Sequence, residues 1–141
     1  MFKGSIPAVI TPFDKNRSID YDKLNKHIDF LIDQQSHGLV SCGTTGESPT
    51  LDHDEHKKIT EVIIKRSNKK VPIMAGCGSN STKESIELVK HAKSAGANAS
   101  LLVSPYYNKP SQDGLFQHFS EIANSVPSLP IYLYNIPGRS V

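Results

Sequence analysis

Gly38-Leu39-Val40-Ser41-Cys42-Gly43-Thr44-Thr45-Gly46-Glu47-Ser48 sets a short apolar run directly against a loop of small and hydroxyl-bearing residues. The run does not alternate with polar residues, which suits a parallel strand buried on both faces. The loop after it precedes a helical pattern, and its small side chains leave backbone N–H groups open to a carboxylate or phosphate. It lacks the Lys-Ser/Thr ending of a P-loop, which argues against nucleotide binding. Standing alone, the segment is equally well read as a tight turn with hydroxyl caps.

Working outward, four more apolar runs occupy residues 5–10, 71–75, 99–103 and 130–134. They recur roughly every 30 residues, the length of one βαβ unit. Amphipathic helical patterns fill the gaps. Leu24, Ile28, Leu31 and Ile32 share the first helix face, with Asp20 as N-cap. Ile59, Val62 and Ile63 share the second, and Asp52 with Glu55 has capping-box spacing. Ser81 and Glu84 repeat that spacing before the third helix, which Gly96 is placed to stop. Leu115, Phe119, Ile122 and Ala123 mark the fourth. The order is β-α-β-α-β-α-β-α-β, with no linker or composition shift, so residues 1–141 are expected to form one α/β domain with a parallel sheet. An open doubly wound sheet and part of a TIM (β/α)8 barrel both fit. A Rossmann sheet calls for Gly-x-Gly-x-x-Gly after its first strand, and that position here reads Thr11-Pro12-Phe13-Asp14.

The loops after strands differ in kind from those after helices. After helices come bland connectors such as Ser36-His37-Gly38 and Ala95-Gly96-Ala97. After strands come Gly76-Cys77-Gly78-Ser79-Asn80, Ser104-Pro105-Tyr106-Tyr107-Asn108 and Asn135-Ile136-Pro137-Gly138-Arg139, beside the Thr44-Thr45 loop. Both parallel architectures build their sites at the C-terminal ends of strands, so this is the candidate functional face. Thr44, Tyr107 and Tyr134 offer hydroxyls there, which pass protons without carrying charge and suit acid/base work on a small carbonyl substrate. Arg139 is one of three arginines, with Arg17 and Arg66. Its guanidinium could hold a carboxylate bidentately or simply form a surface ion pair.

Bulk properties exclude several classes. The net charge of +2 is small and the basic residues are scattered, so neither a nucleic-acid nor a membrane surface is expected. No apolar run approaches the ~18 residues of a membrane span. The first residues lack the apolar core of a secretory signal, and Cys42 and Cys77 sit in apolar stretches as buried thiols. The expectation is a soluble, cytoplasmic protein. His53 and His56 share a helix face, but no third ligand lies at metal spacing; we expect no metal and no cofactor.

The runs Gly43-Thr44-Thr45-Gly46-Glu47-Ser48, Pro105-Tyr106-Tyr107-Asn108-Lys109-Pro110-Ser111-Gln112 and Tyr134-Asn135-Ile136-Pro137-Gly138-Arg139 resemble the dihydrodipicolinate synthase family. Gly4-Ser5-Ile6, Thr11-Pro12-Phe13 and Leu51-Asp52-His53-Asp54-Glu55-His56 fit as well, so the resemblance runs the length of the chain and favours the barrel. It implies a class I, Schiff-base lyase that condenses pyruvate with L-aspartate 4-semialdehyde to 4-hydroxy-tetrahydrodipicolinate, toward diaminopimelate and lysine. It implies that Thr45 and its loop amides hold the pyruvate carboxylate. Thr44, Tyr107 and Tyr134 would relay protons, and Arg139 would meet the semialdehyde carboxylate. It further implies a homo-oligomer, a tetramer in full-length members, with the tyrosine matching Tyr107 reaching across a subunit interface. A site for L-lysine as effector would draw on Ser48, His53, His56, Asn80, Glu84 and Tyr106, held chiefly by Glu84. Pro49 departs from the small residue of that pattern and removes a backbone donor. Rival readings are a pyruvate-dependent lyase of the N-acetylneuraminate lyase type and a non-catalytic half-barrel.

The Schiff-base lysine must be desolvated to lose its proton, so it belongs on a strand. None of the five runs contains a lysine, and Lys109 lies in a loop beside Pro110. By resemblance the nucleophile sits on the sixth strand, whereas these residues reach the fifth, and a whole barrel needs ~250 residues. The expectation is an N-terminal half-barrel, inactive alone, with unpaired edge strands and an apolar interior open to water. A dilute sample of residues 1–141 is expected to melt broadly or to associate. A sharp, reversible two-state melt of a monomer, followed by circular dichroism and light scattering, would contradict this.

Overall fold

Each long helix begins where a side chain satisfies amides that the helix itself leaves open. In a computed structural model that describes residues 2–140, helix α1 spans Tyr21–Asp33 behind the Asp20 cap, whose carboxylate accepts from the Lys23 amide at 2.9 Å. Lys23 also bonds that carboxylate through its side chain and holds the Asp20 pKa below its usual value. Helix α2 spans His53–Ser67 and has a complete capping box between Asp52 and Glu55. Helix α3 spans Thr82–Ala95 and realises half of its expected box. Ser81 caps the Glu84 amide, but the Glu84 carboxylate instead accepts from the Ser79 hydroxyl at 2.6 Å. Gly96 ends α3 at φ +98°, a left-handed conformation that glycine adopts without a Cβ penalty.

The strands are β1 (Leu39–Ser41), β2 (Ile73–Gly76), β3 (Ala99–Val103) and β4 (Ile131–Tyr134), in the sheet order β1-β2-β3-β4. Residues 5–10 depart from the expected regular strand. They meet β1 only at a parallel bridge between Ala8 and Val40, with Val9 N–H donating to Val40 and Val40 N–H to Pro7. Pro7 has no N–H of its own, so the ladder cannot extend through it in both directions. β3 and β4 run parallel, with Ser100 opposite Ile131 and Val103 opposite Tyr134.

Residues up to Met74 and residues from Ala75 on form two compact units. In the first, Leu24 and Ile28 of α1 and Ile59 and Ile63 of α2 close over Val9, Leu39 and Ile73. Each of these side chains is at most 1% exposed, and full burial of one contributes roughly 1.5–3 kcal/mol. Arg66 bonds Asp29 bidentately and ties the outer faces of the two helices. In the second unit, Leu88, Val89 and Ala92 of α3 pack with Leu102 of β3 and with Ile122 and Val126. Helix α4 spans Gln112–Ser125 behind the Ser111 cap. Its inward face differs from the expected one: Ala123 is exposed, and His118 is buried. The His118 ring reaches the Thr82 hydroxyl through Nδ1 at 2.8 Å, while its buried Nε2 has no hydrogen-bond partner among the described residues, so the burial of this polar residue is only half compensated. Helix α5, a single turn over Pro137–Ser140, had no counterpart in the periodicity. No helix among the described residues is long and apolar enough to cross a membrane.

Candidate functional site

The peptide turns abruptly after β1. Cys42 has a positive φ of 48°, and Gly43 starts a 3-10 turn over Thr44–Gly46. Glu47 is again left-handed at φ 61°, and Pro49 sits in a second 3-10 turn over Ser48–Thr50. Two contacts set the first turn. The Thr11 hydroxyl donates to the Gly46 carbonyl at 2.6 Å, with both groups buried. A Cβ on Gly46 would stand 2.7 Å from the Val9 carbonyl oxygen, so only glycine fits without backbone movement. Thr44 and Thr45 are left exposed, and their amides donate to no carbonyl among the described residues. Such amides at the start of a turn are the donors that a carboxylate needs.

Beneath the turn, the Ser41 hydroxyl meets Thr60 at 3.2 Å, and the Cys42 thiol lies 3.5 Å from the same Thr60 oxygen and 3.4 Å from the His56 carbonyl. Burial pushes the Cys42 pKa up to about 12, against a small opposing pull from Thr60. The thiol therefore stays neutral and serves packing, not nucleophilic chemistry.

In the second unit the Ser79-Asn80 loop follows β2, and the Tyr106-Tyr107-Asn108 loop follows β3. Tyr107 is 91% exposed at φ 71°, unusual for a bulky residue. Tyr134 is the last residue of β4, is 40% exposed, and is held in register by the Ser104 amide on its carbonyl. Arg139 is exposed on α5, a turn fastened by the Ser140 hydroxyl on Asn135 and on the Ile136 carbonyl. Thus Thr44 and Thr45 follow β1, Tyr107 follows β3, and Tyr134 with Arg139 end or follow β4.

Of the residues expected at an effector site, Ser48, His53 and His56 lie along the second 3-10 turn and the first turn of α2. The structure brings Asn80 and Tyr106 together, with the Asn80 side-chain amide donating to the Tyr106 carbonyl at 3.3 Å. Glu84 stands at the start of α3 with its carboxylate on Ser79. Two contributors escaped the reading of the sequence. Thr11 supports the Gly46 carbonyl, and its signal was a hydroxyl residue just before a proline at the end of an apolar run. Asn108 donates to the Asn80 carbonyl at 3.4 Å; nothing local marks it, because its partner is 28 residues away.

The dihydrodipicolinate synthetase family model matches residues 1–141. The chain is 60% identical over 141 residues to the 4-hydroxy-tetrahydrodipicolinate synthase of Rhizobium meliloti strain 1021, covering 100% of this chain and 48% of that protein. A crystal structure of chloride-inhibited dihydrodipicolinate synthase from Acinetobacter baumannii, complexed with pyruvate, overlays with a TM-score of 0.96 at 50% identity. The overlay covers 99% of this chain and 47% of that one. The corresponding enzyme of Cyanidioschyzon merolae with lysine bound gives a TM-score of 0.95 at 41% identity, over 99% of this chain and 47% of that one. The chain spans about half the length of the curated relatives it matches. These likenesses decide between the two architectures: the fold is that of part of a (β/α)8 barrel.

Gly46→Ala is expected to destabilise the whole protein by about 1–3 kcal/mol, because the added methyl must displace the Val9 carbonyl. Gly138→Ala is the control, since its Cβ would meet nothing within 4 Å. Equal urea midpoints for the two variants would refute the close approach at Gly46.

Proposed function

This chain belongs to the dihydrodipicolinate synthetase family, and on that footing we propose that its strand-end residues bind pyruvate and move protons in a Schiff-base lyase. The reaction joins pyruvate to L-aspartate 4-semialdehyde and forms 4-hydroxy-tetrahydrodipicolinate, on the route to diaminopimelate and lysine. One observation carries the reading most directly. The Thr44-Thr45 turn presents exposed hydroxyls and unengaged amides, in a conformation that Gly46 and Thr11 enforce.

The chemistry assigns each group a task. A lysine amine condenses with the pyruvate keto group, water leaves, and the resulting iminium loses a methyl proton to become an enamine. The enamine carbon attacks the aldehyde, whose oxygen must then gain a proton. The amine of the semialdehyde finally adds to the imine carbon and expels the lysine, which closes the ring and frees the enzyme. Thr45 and the loop amides hold the pyruvate carboxylate throughout. Thr44, Tyr107 and Tyr134 hand protons along hydroxyls, which avoids burying a charge beside the iminium. Tyr134 stands closest to the reacting carbon. Arg139, with its planar fork of donors, receives the carboxylate of the semialdehyde.

The described strands carry no lysine. Lys109 is exposed at φ 44° in a loop beside Pro110 and not on a strand. We therefore assign the Schiff-base amine to a lysine outside residues 1–141, so that residues 1–141 alone are inactive. We also propose that the whole protein is a cytoplasmic homotetramer in which Tyr107 enters a neighbouring subunit's site. Its exposure and left-handed backbone support that role. L-Lysine would be the effector, held by Ser48, His53, His56, Asn80, Glu84 and Tyr106. The lysine-bound relative from Cyanidioschyzon merolae supports that assignment.

Borohydride reduction of the whole protein in the presence of pyruvate tests the reading. Peptide mass spectrometry is expected to find one pyruvate adduct per chain, on a lysine outside residues 1–141. The absence of any adduct, or a stoichiometric adduct on Lys109 or another lysine of this segment, would overturn it.

A further inference from the structure

Tyr107 raises a physical question that its proposed role does not answer. A side chain that is 91% exposed has little packing to hold it, yet its backbone keeps a left-handed φ of 71°. Lys109, two residues on, is left-handed as well at φ 44°. Non-glycine residues keep such conformations only where their surroundings over-determine them. Between the two lies Asn108, whose backbone N–H donates to the Tyr106 carbonyl at 2.8 Å. Its side-chain amide donates to the Asn80 carbonyl at 3.4 Å, and the Asn80 side-chain amide donates back to the Tyr106 carbonyl at 3.3 Å. The two asparagines thus form a reciprocal clamp that joins the loop after β3 to the loop after β2. Both acceptors are backbone carbonyls, so each asparagine must present its NH2 end, which settles the orientation of both amides.

We infer that Asn108 is a positioning residue for proton transfer, because its amide on the Asn80 carbonyl holds Tyr107 in the backbone conformation that delivers its hydroxyl. The inference rests on the reading of Tyr107 as a relay group. Asn108 itself touches no reacting atom. Its loss leaves pyruvate binding alone and slows the step that needs the Tyr107 hydroxyl in place, since small displacements of a catalytic group are costly in rate.

The test uses the whole protein and Asn108→Asp, which keeps the side chain's shape but turns a donor toward a carbonyl into an acceptor. We expect kcat to fall about tenfold, in line with the loss of one to two hydrogen bonds, while KM for pyruvate stays within about twofold, as for an interaction absent from the ground state. Amide hydrogen exchange should quicken at residues 106–109 and nowhere else. The double variant with Tyr107→Phe should be no slower than Tyr107→Phe alone, because residues that act as a unit are not additive. Asn108→Ser, smaller and still a donor, should recover part of the rate. An active wild type whose Asn108→Asp variant keeps its kcat, or whose loop exchange is unchanged, overturns the clamp and leaves the lyase reading intact. A wild type that does not condense pyruvate with the semialdehyde overturns both, even where loop exchange responds.

Discussion

The turn after β1 depends on one contact that admits no side chain. Gly46 lies so close to the Val9 carbonyl that a methyl would overlap it, and the Thr11 hydroxyl fixes the Gly46 carbonyl from the other side. With the peptide pinned at Gly46, Thr44 and Thr45 are lifted to the surface with open amides, and Glu47 is driven into a left-handed conformation. The energy behind this geometry comes from the core below it. Val9, Leu39, Ile59 and Ile63 are each at most 1% exposed, and they fix residues 5–10 against β1 so that the Val9 carbonyl cannot retreat. Packing therefore decides local conformation, and local conformation decides which donors face a ligand.

The second unit solves a similar problem with polar groups. The loop bearing Tyr107 is exposed at residues 106–109, beyond the buried Pro105, so side-chain amides take over there the work that burial performs at Gly46. Two means of holding a strained backbone thus occur in one chain: exclusion of a methyl under the Thr44-Thr45 turn, and paired hydrogen bonds beside Tyr107. Both hold the hydroxyls to which we assign substrate binding and proton transfer, roles in which threonine and tyrosine depend on geometry.

Much of this was legible in the order of residues because the signals were local. Capping by Asp20, Asp52 and Ser81 follows from side chains three positions from the amides they satisfy. β3 falls where its apolar run does, since a buried parallel strand leaves an unbroken hydrophobic trace. What failed to show was non-local. Pro7 reduced the first run to a bridge, through a donor missing from a ladder whose partner lies 32 residues away. His118 took the inward position on α4 with Thr82, on another helix, as the partner of its Nδ1 alone, its buried Nε2 being left without one among the described residues. The hydroxyls and the arginine after the strands were named from the sequence, whereas Thr11 and Asn108, which hold the loops in shape, act through partners that no spacing rule connects to them.

The central claim is that the Thr44-Thr45 turn is a carboxylate cradle, and steady-state kinetics of Thr45→Val in the whole protein test it most directly. Valine preserves the shape of threonine and removes one hydroxyl donor to a charged group, an interaction of roughly 1.5–3 kcal/mol. The account predicts a KM for pyruvate raised at least about tenfold, with the melting temperature unchanged. A variant with undiminished affinity for pyruvate and full activity would contradict it.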